Sequence, residues 1–307
     1  MSYGETGTEP ELPFEFASDS LATDAFSFRA AYALGHASFL VYDDDTERVT
    51  REIGGQGAGL ADLGSQMNPF SLNATQGMVL ETEERFVLVI RGSKGKEDWK
   101  LNLQAKQRHI WFDVPGRIHT GFWRALNQIW DAVIIPLMAL SKSSGKKIVI
   151  SGHSLGGAIA TLVAARIATK FDRESIVSIY TFGQPRVGNA KFAKSMNEQF
   201  EGAFFRFVNH RDIVTMIPPA PLYRHVGKLI QFDPAGAVLE DQVTETRRKF
   251  GPSLSPEEFK QFAEHVRKHG LYETVQERRD FKSNVANVED HSINRGYLPK
   301  LKLNLES

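Results

Sequence analysis

The stretch KKIVISGHSLGGAIATLVAARIA (residues 146–168) joins an apolar, strand-like segment to a helix-like segment of small residues, with one serine between them. Gly152 and Gly156 stand two residues before and two after Ser154, as in the nucleophile elbow G-x-S-x-G. A strand that turns at once into a helix leaves little room at the crossing, so small residues must flank the serine. The pattern predicts a serine hydroxyl projecting from the sheet's carboxyl edge, beside helix N-terminal amides. The alternative, a phosphate-binding turn, lacks the lysine of a P-loop.

Composition narrows the class of protein. The chain has 307 residues with 37 basic and 37 acidic side chains, a balance that gives no electrostatic footprint for nucleic acid. It has no cysteine, which excludes disulfides, thiolate catalysis and cysteine metal sites. The length allows two domains, but α/β folds often hold this much chain in one.

The N-terminal segment MSYGETGTEPELPFEFASDSL has no basic start followed by an apolar run, so it does not predict a signal peptide. We therefore expect a cytoplasmic protein, or a secreted one from which a leader has been removed. The longest apolar stretch, residues 130–140, is too short to span a bilayer, so no transmembrane segment is predicted. Residues 1–20 are predicted to be a flexible arm and residues 21–307 a single domain.

Apolar periodicity indicates strands that alternate with helices. Strands separated by helices of this length favour a mostly parallel sheet with helices on both faces, the α/β class. Residues 53–65 are rich in glycine and suggest a loop or a short helix. The predicted helices are 25–42, 121–141 and 155–171, and the predicted strands are two within 77–92 and others at 147–151, 176–183, 203–209 and 224–232.

Serine is a poor nucleophile unless a base removes its proton and an acid orients that base. In this fold the three residues follow in the order Ser, Asp or Glu, His. Asp212 comes just beyond the end of an apolar strand, where its carboxylate can meet an imidazole. His210 precedes that aspartate and violates the order.

Three other histidines near the C-terminus are candidates for different roles. His265 and His269 have an i, i+4 spacing that suits a metal, but the glutamate beside the first histidine of zinc proteases is missing. His291 follows a polar loop and is the better candidate for the base. Asp290 is a poor acid candidate, since a neighbour in sequence rarely has the right geometry.

These motifs together resemble the class 3, fungal-lipase-like branch of the α/β-hydrolases. The similar stretches are SGHSLGGAIATL, VLVIRGS (87–93), RIHTGFWRAL (117–126), YTFGQPRVGNAKFA (180–193), RFVNHRDIVTMIPP (206–219), YRHVGKLI (223–230) and EDHSINRGY (289–297). The resemblance implies an α/β-hydrolase fold with Ser154 as nucleophile, Asp212 as acid and His291 as base. It also implies an oxyanion hole from Ser93, through its amide and hydroxyl, and from the amide of Leu155.

Two segments depart from the family pattern. In the family, an amphipathic lid follows the oxyanion serine; here residues 94–106 offer Trp99, Leu101 and Leu103, but five of the first seven residues are charged, so strong interfacial activation is in doubt. Asp212 and His291 are 291 − 212 = 79 residues apart, longer than expected. The surplus, about residues 238–283, is a predicted charged helical insertion that is a cap, a partner surface or a solvated outer layer.

The sequence thus predicts a serine carboxylic-ester hydrolase of the triacylglycerol lipase type, acting on acylglycerols or similar lipid esters through an acyl-enzyme. A phospholipase A1, a small-ester esterase, an acyltransferase and a non-catalytic lipase-like binding scaffold remain alternatives. No metal or organic cofactor is required. The expected partners are a lipid or small ester substrate and a transient lipid interface, and the oligomeric state is left open.

Overall fold

The computed structural model describes residues 21, 25–55, 58–63, 68–72, 75–92, 107–109, 115–218, 220, 222–239, 257, 261, 264 and 289–305. The predicted arm (1–20), the oxyanion candidate Ser93 and the lid candidates Trp99, Leu101 and Leu103 lie outside these residues. So does most of the predicted insertion at 238–283. Within it, Glu257, Gln261 and Glu264 are helical and exposed, at the spacing of one helix face.

Seven α-helices can be described in chain order, together with shorter helical turns. The N-cap of the first is Ser27, whose hydroxyl accepts from the amides of Arg29 and Ala30 at 3.2 and 3.3 Å. The helices are α1 (Phe28–Leu40), α2 (Thr46–Gly54), α3 (Thr120–Ile129), α4 (Ile135–Ser144), α5 (Leu155–Lys170), α6 (Ala190–Gln199) and α7 (Leu298–Leu303).

Eight described strands form one sheet and two form a separate ribbon. In the main sheet the order is β1-β3-β4-β7-β8-β9-β10, and β2 also pairs with β3. The five strands from β4 to β10 in this order are mutually parallel, whereas β1, β2 and β4 pair with β3 in antiparallel register. The strands are β1 (Gly59–Leu60), β2 (Phe70–Leu72), β3 (Thr75–Glu81), β4 (Arg85–Ile90), β5 (Gln107–His109), β6 (Arg117–His119), β7 (Lys147–His153), β8 (Ile176–Phe182), β9 (Phe204–Asn209) and β10 (Lys228–Phe232).

The sheet has a hydrophobic core on each face. Successive residues of a strand point to opposite faces, so on β4 Leu88 and Ile90 join the core under α3, α4 and α5, while Val87 and Val89 join the core under α1 and α7. This is why β4 reads as a continuous apolar run rather than an alternating one. Parallel strands place their carboxyl ends along one edge of the sheet. At this edge Ser154 follows β7, Gly183 follows β8 and Asp212 comes shortly after β9.

The structure differs from the predicted elements in places. The predicted helix 121–141 is interrupted by a π-helical turn, Trp130–Ile134, between α3 and α4. Helices α2 and α6 were not predicted, although Asp45 and Asn189 cap their N-termini. The predicted strand 224–232 is shorter, since β10 begins at Lys228. Across the described part of the chain, no helix combines the length and hydropathy needed to cross a membrane.

Candidate active site

Ser154 lies at a sharp turn between β7 and α5. Its backbone has φ 59° and ψ −129°, a left-handed conformation that costs a non-glycine residue energy. A Cβ on Gly152 would come within 2.5 Å of the carbonyl carbon of Gly156, and one on Gly156 within 2.0 Å of the Ile90 oxygen. Only glycine at both positions lets helix, turn and neighbouring strand approach this closely, which is the steric reason for the G-x-S-x-G pattern.

Three side chains from distant parts of the chain meet at this turn. The hydroxyl oxygen Oγ of Ser154 lies 2.8 Å from Nε2 of His291. The other ring nitrogen, Nδ1, donates to the Asp212 carboxylate, at 3.0 Å from Oδ1 and 2.9 Å from Oδ2. All three residues are buried. With Nδ1 protonated, Nε2 is left free to accept the serine proton.

Two further hydrogen bonds hold the Asp212 carboxylate at the carboxyl end of β9. It caps the short 3₁₀ turn Ile213–Met216, with Oδ1 accepting from the Val214 amide at 2.9 Å. Its Oδ2 accepts a 2.6 Å hydrogen bond from the Tyr297 hydroxyl. Burial alone would raise the pKa of Asp212, but His291, Tyr297 and the Val214 amide together lower it below its ordinary value, so the carboxylate is ionised.

His153, the residue before Ser154, packs against His291 and holds its backbone in place. Its ring stacks on that of His291 with centroids 4.6 Å apart, and its Nε2 donates to the His291 carbonyl at 2.7 Å. Nδ1 accepts from the Tyr42 hydroxyl at 3.1 Å, and that hydroxyl in turn accepts from the Gly92 amide. Burial, followed by the nearby His291, lowers the pKa of His153 to about 3, so it is a neutral brace rather than a second base.

The lack of a side chain at Gly183 leaves room for the contact between Asp212 and His291. Gly183 follows β8 with φ +61°, and a Cβ there would lie 2.7 Å from Oδ2 of Asp212 and 2.8 Å from Nδ1 of His291. The position of this glycine beside the Asp212–His291 hydrogen bond was missed, because nothing in the sequence indicates which loop packs against it.

The oxyanion candidates are partly described. Leu155 is the first residue of α5, so its amide has no partner within the helix. Ser93 is outside the described residues, but Gly92 immediately before it lies beside the turn: a Cβ on Gly92 would be 3.0 Å from the Cβ of Ser154. The end of β4 therefore brings the chain to Ser154 just before Ser93.

The rejected candidates have other places. His210 and Asp290 do not reach Ser154 but contact each other, with Nδ1 2.9 Å from Oδ2. His265 and His269 lie outside the described residues. Among the residues that the structure describes, no group of three or more His, Asp or Glu side chains is arranged to hold a metal ion.

Comparison with known proteins gives consistent matches. The profile of the family Lipase (class 3) matches residues 87–222. A secreted mono- and diacylglycerol lipase of Fusarium solani is 34% identical over 150 residues, covering 47% of this chain and 43% of that protein. A chloroplastic phospholipase A1 of Arabidopsis thaliana is 33% identical over 149 residues, covering 43% and 33%. The chain thus spans less than half the length of either relative.

Solved structures show the same architecture. A fungal lipase in complex with an inhibitor superposes with a TM-score of 0.60 at 23% identity, covering 76% of this chain and 92% of that one. At this identity the likeness shows the fold alone. It confirms the predicted α/β-hydrolase fold with a mostly parallel sheet.

Proposed function

We propose that the chain belongs to the class 3 lipase family, whose profile matches residues 87–222, and that it is a serine carboxylic-ester hydrolase acting on acylglycerols or similar lipid esters. The observation that carries the proposal is the 2.8 Å contact between Ser154 Oγ and His291 Nε2 at a strained strand-to-helix turn. In this proposal Ser154 is the nucleophile, His291 the general base and Asp212 the acid that orients it.

The geometry supports a stepwise reaction, acylation of Ser154 followed by hydrolysis of the acyl-enzyme. Ser154 attacks the ester carbonyl while Nε2 of His291 takes the hydroxyl proton. Asp212, ionised and bonded to Nδ1, fixes the tautomer and stabilises the imidazolium that forms. His291 then protonates the departing alcohol, leaving the acyl group on Ser154. Water activated by the same ring releases the fatty acid and restores the serine.

The tetrahedral intermediate carries a negative oxygen that needs donors. We propose the amide of Leu155, at the positive end of the α5 dipole, and the amide and hydroxyl of Ser93. The first residue is supported by its place at the helix start and the second by the approach of Gly92 to Ser154. One such donor is worth roughly 3–4 kcal/mol of transition-state stabilisation in a comparable enzyme.

The substrate class is supported by the names of the relatives. One acts on mono- and diacylglycerols and another on phospholipids at the A1 position, as their names state. Both are carboxylic esters of glycerol, so the same triad serves either, and the shape of the acyl and head-group pockets decides between them. Transient contact of residues 94–106 with a lipid interface, and a single domain over 21–307 with a helical insertion, belong to the same proposal.

The test is hydrolysis of p-nitrophenyl esters from butyrate to palmitate, followed by mono-, di- and triacylglycerol emulsions and phosphatidylcholine vesicles. Ser154→Ala is expected to lose on the order of a millionfold in turnover. The matched control is Ser151→Ala, a buried serine three residues earlier on β7 whose hydroxyl contacts Ser38 at 3.1 Å. If wild type and Ser154→Ala are equally active, or neither hydrolyses an ester, the proposal fails and the binding scaffold becomes the better reading. An added acceptor alcohol separates acyl transfer from hydrolysis.

A further inference from the structure

The segment that ends at His291 is joined to the segment that carries Asp212 by a second set of hydrogen bonds. Oδ2 of Asp290 accepts from Nδ1 of His210 at 2.9 Å and from the amide of Arg211 at 3.0 Å. These bonds lie one residue from His291 on one segment and one or two residues from Asp212 on the other. Each segment thus contributes one aspartate and one histidine, and each aspartate binds the histidine of the other segment.

A third bond involves the backbone rather than the carboxylate. Nδ2 of Asn209 donates to the Asp290 carbonyl at 3.0 Å. Residues 209–211 thus offer three donors to a single residue; Asn209 is the last residue of β9, and His210 and Arg211 follow it directly. The backbone that precedes His291 is therefore hydrogen-bonded to the carboxyl end of β9.

His210 is itself held in an unfavourable conformation to make this contact. Its φ is +40°, in the left-handed region that non-glycine residues rarely adopt. Its amide donates to the Phe232 carbonyl at 2.9 Å and its carbonyl accepts from Nε2 of Gln231 at 3.0 Å, so β10 fixes the turn. Strain of this kind persists where the surrounding structure enforces it, and it is concentrated at functional sites.

Stability alone does not account for the carboxylate at position 290. Its side chain is only 16% exposed. Burial raises the pKa of Asp290 above its ordinary value, although the Arg211 amide and His210 oppose the shift. The other charged or titratable groups that act on it are Asp212, which also raises its pKa, Tyr297 and Lys300. A half-buried carboxylate paired with a histidine is a weak source of stability and a better candidate for a specific role.

We propose that His210 and Asp290 are positioning residues for His291, which dock the segment bearing the base onto the strand end bearing the acid. This inference rests on the proposed function, in which His291 is the base. Docking is needed because His291 follows Asp212 by 79 residues. At this separation, chain connectivity does little to hold the His291 imidazole against the Asp212 carboxylate. Other contacts with described residues also hold His291: the Asp212 carboxylate, the Ser154 hydroxyl and the bond from His153 to its carbonyl.

The experiment compares four variants of the full chain. Asp290→Ala removes the acceptor, and Asp290→Asn keeps an acceptor oxygen but removes the charge. His210→Ala removes the donor, and His210→Asn keeps a side-chain donor on a residue that tolerates positive φ. The matched control is Asp172→Asn, an exposed aspartate that accepts from the Glu174 amide at 3.0 Å before β8, at the opposite edge of the sheet.

We expect Asp290→Ala and His210→Ala to lower kcat about tenfold or more with KM little changed, since a misplaced base slows the reaction and not binding. The asparagine variants should recover most of kcat. A merely structural contact would not give this split between kcat and KM, nor its rescue by asparagine. Asp172→Asn should change neither kcat nor KM.

Wild-type kcat in all four variants would overturn the proposal. So would alanine variants whose KM rises while kcat is unchanged, because the contacts would then serve binding and not the position of His291. If Asp290→Ala does not fold, the asparagine variant carries the test. If wild type hydrolyses no ester, the proposed function fails, whereas an active wild type with four unaffected variants overturns the positioning role alone.

Discussion

Substituting alanine for Gly183 is expected to push Asp212 and His291 apart while leaving the identity of both residues unchanged. In Gly183→Ala the new Cβ would lie 2.7 Å from Oδ2 of Asp212 and 2.8 Å from Nδ1 of His291. Ordinary contacts begin near 3.4 Å, so the overlap with the carboxylate is 3.4 − 2.7 = 0.7 Å. Neither neighbour can retreat easily, because both are buried and the carboxylate is fixed by Tyr297 and Val214.

Two costs follow from this geometry. A misplacement near 1 Å in a catalytic arrangement lowers the rate about a hundredfold, so kcat of Gly183→Ala should fall by about that factor. The left-handed φ of +61° adds backbone strain of about 1 kcal/mol to the free energy of folding. The first cost is specific to the site, and the second is common to any glycine with this backbone.

A matched control separates the two costs. Gly145 also has positive φ, +76°, but a Cβ there would meet nothing within 4 Å. Gly145→Ala should therefore lose about 1 kcal/mol in a urea titration and keep wild-type kcat on p-nitrophenyl butyrate. If Gly183→Ala, correctly folded, retains kcat within threefold of wild type, the argument that this glycine makes room for the Asp212–His291 pair is refuted.

Three further outcomes are expected. Tyr297→Phe removes the 2.6 Å donor to Asp212 and should lower the free energy of unfolding by about 1–2 kcal/mol and kcat by about tenfold, measured by urea titration and ester turnover; wild-type values in both would contradict the contact. Burial lowers the pKa of His36 to about 4 and of His153 to about 3, so the unfolded chain binds more protons below its histidine pKa of about 6.5 and stability should fall as pH decreases from there towards 4. A urea midpoint that stays constant from pH 7 to 4 would exclude this. Leu301→Ala, at a fully buried position, should cost about 2–5 kcal/mol of unfolding free energy, and a calorimetric midpoint within 2 °C of wild type would show that α7 contributes little.

The parts of the site that sequence predicts are those governed by local sterics and chain order. Gly152 and Gly156 have to be glycine because a Cβ would collide with atoms a few residues away or on the adjacent strand. The pattern around Ser154 can therefore be recognised from the sequence alone. The order Ser, Asp, His then selects Asp212 and His291 among many candidates, and the structure brings these side chains within hydrogen-bonding distance.

The remaining contacts depend on which loops pack together, which no short pattern records. Tyr297 and Tyr42 reach the site from the last described helical segment and from the end of α1, and neither lies in a stretch whose spacing points there. The pairing of His210 with Asp290 is of the same kind, since each was weighed only against the triad roles. Helix α2 was a different omission: its capping Asp45 and its buried Val49 and Ile53 at i, i+4 were visible signals in the sequence.

The late position of His291 in the chain has a consequence for biosynthesis. During translation the strand-to-helix turn at Ser154, the sheet and Asp212 are all made before residues 289–303, and α7 must then pack closely on α1, where a Cβ on Gly35 would lie 3.0 Å from Leu301. Under the proposed roles, a nascent polypeptide has until that step a serine with no base to accept its proton. The proposal therefore predicts an inactive nascent chain, and proteolytic removal of residues 289–303 is expected to abolish ester hydrolysis while leaving Ser154 intact.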